Sequence, residues 1–183
     1  MSEAEKILRD IEAKTKKEFL PIIGPHRGKI LTEIIRKHKP ENILEVGTLI
    51  GYSTILMAKE LENNAHITGI EIDKEEAEEA RKNIEKAHVR PTVDIITGDA
   101  KQVIPNVPGK FDLVFLDADK NRNMQYLSLI EAKLNKGSVL IADNVRMAEE
   151  EMRDYLNYVR TSGKYASRCI PIDEDAVEVS IRL

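Results

Sequence analysis

Several residue types that often mark a fold or a site are scarce in this chain. Its 183 residues include no tryptophan and one cysteine, and aromatic residues make up only 4%. The single thiol, Cys169, excludes an internal disulfide framework and is typical of a reducing compartment. The four histidines are scattered without the spacing of zinc ligands, so no zinc site is predicted.

Long apolar runs are also absent. No stretch approaches the roughly 18 apolar residues of a membrane span. The start, MSEAEKILRD, is charged and lacks the apolar core of a signal peptide. We therefore expect a cytoplasmic protein with no membrane partner.

Positive charge is not in overall excess. A net charge of −4 argues against a general nucleic-acid binder. The charge is uneven, because residues 1–40 contain ten Lys and Arg but six Asp and Glu. We interpret this local excess as a solvated helix face, and a basic cap over an anionic acceptor is the alternative.

What is present is a regular alternation of apolar runs and amphipathic segments. The length predicts one domain over residues 1–183, with an N-terminal helical cap (1–40) and a Rossmann-like core (41–183). The five apolar runs, which suit strands buried on both faces, are NILEVG, HITGIEI, TVDIITG, FDLVFLDA and SVLIADNV. Two further runs, SRCIPI and AVEVSIRL, are too close for a crossover helix and predict an antiparallel hairpin. The predicted fold class is α/β, with a seven-stranded, mostly parallel sheet and helices on both faces.

The end of the first run, LEVGTLIGYS, predicts a ligand-binding turn. Gly47 and Gly51 allow a tight strand-to-helix connection and a close approach of the backbone to a ligand. The third glycine of the dinucleotide motif is absent and no P-loop lysine follows, so a nicotinamide dehydrogenase is disfavoured.

Acidic residues stand at the ends of three successive runs. Glu45 precedes the glycine turn, Glu71 ends the second run and Asp99 ends the third. Ligands of such sheets bind at the carboxyl ends of the strands, and an acid about 20 residues past the turn can accept ribose hydroxyls. For each acid alone, a helix N-cap or a solvated strand end is the alternative. Together they predict a ligand with a ribose and a positive charge, for which S-adenosylmethionine is the common metabolite.

Oxygen-bearing side chains end the next two runs. Asp117 closes FDLVFLDADK, and Asp143 and Asn144 close SVLIADN. Two carboxylates and an amide suit a hard divalent ion, with Mg²⁺ expected. Lys120, three residues past Asp117, is the predicted proton acceptor, because a nearby dication lowers the pKa of a lysine. The alternatives are a turn, a helix cap, and a surface pair between Lys120 and Asp119.

Taken in order, LEVGTLIGYST, GIEID, FLDADK and LIADN resemble the cation-dependent O-methyltransferases, which include the catechol and caffeoyl-CoA O-methyltransferases. The resemblance implies a class I methyltransferase fold, a homodimer, and transfer of a methyl group to a hydroxyl of a small catechol-like or phenolic acceptor. It implies that S-adenosylmethionine contacts Ile23, Glu45, Gly47, Ser53, Glu71, Ile72, Asp99, Ala100 and Asp117. It also implies metal ligands at Asp117, Asp143 and Asn144 and a catalytic lysine at Lys120.

The chain departs from the family near the acceptor. It lacks the tryptophan of an aromatic wall and the longer covering loop of the caffeoyl-CoA branch, and Cys169 is the nearest match to a second acceptor-binding acid. Two alternatives therefore stay open. One is a tRNA hydroxyuridine O-methyltransferase, and the other is a non-catalytic partner protein that binds S-adenosylmethionine.

Overall fold

A single seven-stranded sheet organises the computed structural model, which describes residues 1–183. The strands are β1 (Asn42–Val46), β2 (His66–Glu71), β3 (Thr92–Thr97), β4 (Phe111–Leu116), β5 (Leu134–Ala142), β6 (Tyr165–Ile172) and β7 (Asp175–Arg182). Their order across the sheet is β3-β2-β1-β4-β5-β7-β6. Strands β1 to β5 pair in parallel, and β7 is antiparallel to both β5 and β6. The predicted fold class is confirmed.

Seven helices cover the two faces of this sheet. They are α1 (Glu3–Lys14), α2 (Gly24–His38), α3 (Tyr52–Ala58), α4 (Lys74–Ala87), α5 (Ala100–Val103), α6 (Asn123–Ile130) and α7 (Arg153–Thr161). Along β4, Leu113 and Phe115 belong to an apolar cluster with α1–α4, and Val114 and Leu116 to a second one with α5–α7. Burial on both faces explains why the strands are continuously apolar. None of the helices combines the length and the apolarity that crossing a membrane requires.

Helix α4 begins after Asp73, which serves as its N-cap. The Asp73 carboxylate accepts hydrogen bonds from the backbone N–H groups of Glu75 and Glu76. The N–H of Asp73 itself is bound by the carboxylate of Glu71 at 3.0 Å. Glu71 thus satisfies the donor that Glu76 would satisfy in a capping box, which joins the end of β2 to the start of α4.

The terminal hairpin brings a late part of the chain to the carboxyl edge of the sheet. Strand β7 lies between β5 and β6, and Ala142 at the end of β5 pairs with Glu178 near the start of β7. Because β7 runs antiparallel to β5, its first residue, Asp175, lies at the edge where β4 and β5 end. Val177 is buried in the apolar cluster that contains Leu113 and Phe115, and Val179 packs against that cluster.

Candidate functional site

A cavity of about 370 Å³ lies at the carboxyl ends of β1 to β4. Open parallel sheets bind ligands at this edge. Eight of the nine residues predicted to contact the cofactor line it, namely Ile23, Gly47, Ser53, Glu71, Ile72, Asp99, Ala100 and Asp117. The exception is Glu45, which is fully buried beneath the cavity.

Gly47 allows the ends of β1 and β4 to approach each other closely. Its φ angle is +93°, in the region that favours glycine. A Cβ atom at this position would lie 2.8 Å from the carbonyl carbon of Asp117 and 3.0 Å from the nitrogen of Ala118. The glycine turn therefore sets the shape of the cavity floor as well as the backbone conformation.

Glu71 holds the glycine turn against the end of β2. One carboxylate oxygen accepts the N–H of Leu49 at 2.7 Å and the other accepts the N–H of Asp73. Each oxygen has a second lone pair, so the side chain can still accept hydroxyl groups from the cavity. This arrangement suits the predicted contact with a ribose.

Asp99 has two partners. One of its oxygens caps α5 by accepting the N–H of Lys101 at 2.9 Å. The other faces Arg122, whose guanidinium lies 3.4 Å away, lines the same cavity and also pairs with Asp119 at 3.1 Å. Asp99 therefore caps a helix, as the alternative interpretation predicts, and it also lines the cavity. Sequence reasoning missed Arg122, which the spacing of Asp119 and Arg122 on one turn could have indicated.

Glu45 lies under the cavity and is surrounded by hydroxyl groups. Ser53 donates to its carboxylate at 2.5 Å, and Thr48 and Thr54 donate as well. Gly69, its neighbour in register on β2, leaves the space that this cluster needs, since a Cβ there would lie 2.5 Å from the Thr48 hydroxyl oxygen. Burial raises the pKa of Glu45 to about 7, although the hydroxyl groups oppose the rise.

This raised pKa of Glu45 predicts a pH-dependent stability. A carboxyl group with a folded pKa of about 7 and a usual value of 4.5 binds more protons in the folded state between those values. The free energy of unfolding should therefore fall by about 3 kcal/mol as pH rises through this window, and then level off. Urea unfolding of the wild type and of Glu45→Gln between about pH 5 and about pH 8 measures the difference. Parallel curves for the two proteins would contradict the prediction.

Lys120 pairs with Asp117 and not with Asp119. Its Nζ lies 2.7 Å from Oδ1 of Asp117, and both side chains are largely buried. Asp119 pairs with Arg122 instead, so the surface pair that was the alternative reading of Lys120 is wrong. Burial raises the pKa of Asp117, and the charge of Lys120 opposes that rise. The amine and the carboxylate therefore share one partly dry site at the end of β4.

Asp143 is buried without a hydrogen-bond partner. Its side chain is 1% exposed, and neither carboxylate oxygen accepts a hydrogen bond. The nearest cation is Arg27, whose Nε lies 3.6 Å from Oδ2. Burial, and then the charge of Asp117, raise the pKa of Asp143 to about 6. Such a carboxylate is costly unless a cation is bound beside it.

The donor set at this point consists of oxygen atoms. No group of three or more His, Cys, Asp and Glu side chains is arranged to hold a metal ion. The predicted ligand set is not a group of that kind, because its third member is the side-chain amide of Asn144. This residue directly follows Asp143. Asn144 has a φ of +61°, a conformation that asparagine tolerates better than most residues.

Asp175 is a buried residue of the site that sequence reasoning missed. It accepts hydrogen bonds from the side-chain amide of Asn144 at 2.8 Å and from the N–H groups of Arg146, Met147 and Ala176. Arg27 also pairs with it at 3.0 Å. Burial raises the pKa of Asp175, but these hydrogen bonds outweigh burial and the pKa lies below its usual value. Its only signal in the sequence is the short acidic connection between the two runs of the hairpin, which a simple turn also explains.

A second, wider cavity of about 660 Å³ adjoins the first. The two cavities share Ile22 and Ile23, and the second extends past Arg27 to the hairpin turn. Cys169, the predicted match to an acceptor-binding acid, is exposed on β6 and lines neither cavity. The carboxyl edge of the sheet therefore carries two adjoining spaces.

Comparisons with known proteins agree with this arrangement. A family model described as O-methyltransferase matches residues 1–157. The catechol O-methyltransferase of Niastella koreensis is 38% identical over 127 residues, which cover 67% of this chain and 58% of that protein. Catechol O-methyltransferase B of Danio rerio is 35% identical over 158 residues, which cover 82% of this chain and 59% of that protein. The chain thus spans less than two thirds of the length of these relatives.

Solved structures extend the similarity to the whole fold. The O-methyltransferase from Bacillus cereus, solved in complex with SAH (S-adenosylhomocysteine), has a TM-score of 0.85 and 27% sequence identity. The match covers 99% of this chain and 90% of that one. The family model, the two relatives and the fold agree with the motifs, and the chain belongs to the O-methyltransferase family that includes the catechol O-methyltransferases.

Proposed function

We propose that this protein is a divalent-metal-dependent O-methyltransferase. It would transfer the methyl group of S-adenosylmethionine to a hydroxyl group of a small catechol-like or phenolic acceptor. The single observation that carries this proposal is the buried carboxylate of Asp143, which lacks any hydrogen-bond partner and lies where β5 ends beside the cofactor cavity. The names of the two relatives support a catechol-type acceptor.

The first cavity fits S-adenosylmethionine. Glu71 presents free lone pairs to the ribose, and Ile72, Asp99 and Ala100 form the end of the cavity for the adenine. The backbone of Gly47 and the side chain of Ile23 line the part of the cavity where the methionine part would lie. Glu45 lies below the cavity, so it would act on the cofactor through the hydroxyl of Ser53, which does line the cavity.

Asp117, Asp143 and Asn144 would hold a divalent cation, with Mg²⁺ the expected ion. Their oxygen donors match the ligand preference of hard cations, and the orphan carboxylate of Asp143 is the group that such an ion would satisfy. When bound, the ion would acidify the acceptor hydroxyl and orient it towards the cofactor.

Lys120 would accept the proton of the acceptor hydroxyl. Its Nζ lies 2.7 Å from Oδ1 of Asp117, which holds the amine at the proposed cation site. In its neutral form this amine would act as the general base. A carbon–oxygen bond then forms as the carbon–sulfur bond of S-adenosylmethionine breaks, which leaves S-adenosylhomocysteine. The buried surroundings of Asp117 and Asp143 keep water from this step.

The second cavity suits a small acceptor better than a polyanion. Its wall includes Asp173 and Glu174, two acids that would repel the phosphates of tRNA. Transfer to tRNA is therefore the less favoured alternative. The family resemblance also favours a homodimer, which light scattering would test. The single cysteine favours a cytoplasmic location.

A methyl-transfer screen tests the proposed function. We expect catechols to be methylated from S-adenosylmethionine, with turnover lost on addition of a chelator and restored by Mg²⁺. Simple phenolic acids and bulk tRNA should be slower acceptors in the same assay. Turnover that a chelator leaves unchanged would contradict metal dependence, and SAH binding without turnover on any acceptor would favour a non-catalytic partner protein.

A further inference from the structure

We propose that Asp175 is a positioning residue that fixes the amide of Asn144 with its oxygen turned towards the cation site. This inference rests on the proposed function, because it concerns how one proposed ligand is held. It assigns a role to the first residue of β7, which comes 31 residues after Asn144 in the chain.

The chemistry of an amide makes such a residue necessary. Only the Oδ1 atom of Asn144 can bind a cation, and a side-chain amide can present either its oxygen or its NH₂ group to the same point. An ionised carboxylate has no donor, so it can pair only with the NH₂ end. The hydrogen bond of 2.8 Å from Nδ2 of Asn144 to Oδ2 of Asp175 therefore fixes which end faces away from Asp175.

Asp175 is itself held by the surrounding backbone. Its Oδ1 accepts three N–H groups, those of Arg146 at 3.2 Å, Met147 at 3.1 Å and Ala176 at 2.8 Å. The two oxygens thus have separate tasks, since Oδ1 binds the loop after β5 and Oδ2 binds Asn144. The carboxylate is 4% exposed and cannot turn without breaking these bonds.

Arg27 completes the arrangement from α2. Its NH1 lies 3.0 Å from the same Oδ2 atom of Asp175, and its Nε donates to the carbonyl of Ile23 at 3.2 Å. With two donors on Oδ2 and three on Oδ1, Asp175 has little remaining capacity to bind a cation directly. Its role is therefore to orient a ligand, as residues behind metal ligands commonly do.

The substitution Asp175→Asn tests this role with little change in shape. The new side chain keeps one oxygen for the three N–H groups, but it places an NH₂ group opposite the donors of Asn144 and Arg27. We expect the affinity for Mn²⁺, measured by electron paramagnetic resonance on the full chain saturated with SAH, to fall about 10- to 100-fold. The affinity for SAH measured without Mn²⁺ should stay the same. Asp112→Asn is the matched control, because Asp112 also binds two backbone N–H groups but lies at the start of β4.

The same substitution should have the opposite sign in an Asn144→Asp background. In the Asn144→Asp protein, a carboxylate at position 144 faces the carboxylate of Asp175. Asp175→Asn replaces one of the two carboxylates with a hydrogen-bond donor, so the double variant should bind Mn²⁺ more tightly than Asn144→Asp alone. A purely structural role would lower the affinity in both backgrounds. Equal Mn²⁺ affinity of Asp175→Asn and the wild type would overturn the inference while leaving the metal site intact. A wild type that bound no Mn²⁺ would overturn metal dependence and this inference with it.

Discussion

Replacing Asp143 by alanine is expected to lower kcat/KM for methyl transfer by about 10⁵-fold, more than any other single substitution at the ends of the strands. Without this carboxylate the chain loses the ion that would both acidify and orient the acceptor. Replacing Lys120 by methionine should cost only about 10²- to 10⁴-fold, the usual contribution of a general base. Positioning therefore outweighs proton transfer at this site.

The stability of the Asp143→Ala protein should move in the opposite direction. Asp143 is buried and accepts no hydrogen bond, and its nearest cation, Arg27, lies 3.6 Å away, so its removal relieves a poorly solvated carboxylate in the metal-free protein. Thermal unfolding in the presence of a chelator should show a Tm equal to or above that of the wild type. Asp10→Ala, on the exposed face of α1, is the control and should change neither activity nor Tm. Turnover in Asp143→Ala equal to that of the metal-loaded wild type would refute the proposed ligand role.

Replacing Gly47 by alanine is expected to lower the free energy of unfolding by about 3–5 kcal/mol. Two costs combine at this position. A residue with a Cβ atom is strained at a φ of +93°, and that atom would also collide with the backbone of Asp117 and Ala118. Neither backbone segment can move away without separating β1 from β4. Urea unfolding measures the loss, and the affinity for SAH should fall with it because the collision lies at the cavity floor.

Gly109→Ala separates the two costs. Gly109 has a φ of +85°, but a Cβ atom there would meet nothing within 4 Å. It should therefore show only the conformational cost, about 1–2 kcal/mol, with an unchanged affinity for SAH. If both variants lost the same stability, the close approach of Gly47 to Asp117 would not be a determinant of this fold.

The fold could be predicted from the sequence because its signals are local. Runs such as NILEVG and FDLVFLDA are apolar on both faces, and the connection within the hairpin is too short for a helix. Among the eight predicted residues that line the first cavity, Ile23 precedes α2 and is implied only by the family resemblance. The other seven lie at the end of a strand or in the turn and helix start that follow it. Position at the carboxyl edge was enough to bring them together.

The rest of the site could not be predicted because its contacts join distant parts of the chain. Arg27 and Asp175 are 148 residues apart, and no periodic pattern relates a charge on α2 to one at the start of β7. Glu45 shows a different limit. Its position in the motif suggested contact with the cofactor, but the alternation of β1 turns its side chain under the cavity towards Ser53 and Thr54.

The antiparallel insertion of β7 has a consequence for how the protein matures. Arg27 leaves the ribosome before Asp143 and Asn144, and Asp175 follows 31 residues after Asn144. A nascent chain can form the first five strands and the nucleoside end of the cavity while the amide of Asn144 is still free to turn. The capacity to bind a cation in the right geometry should therefore arise only when β7 pairs with β5.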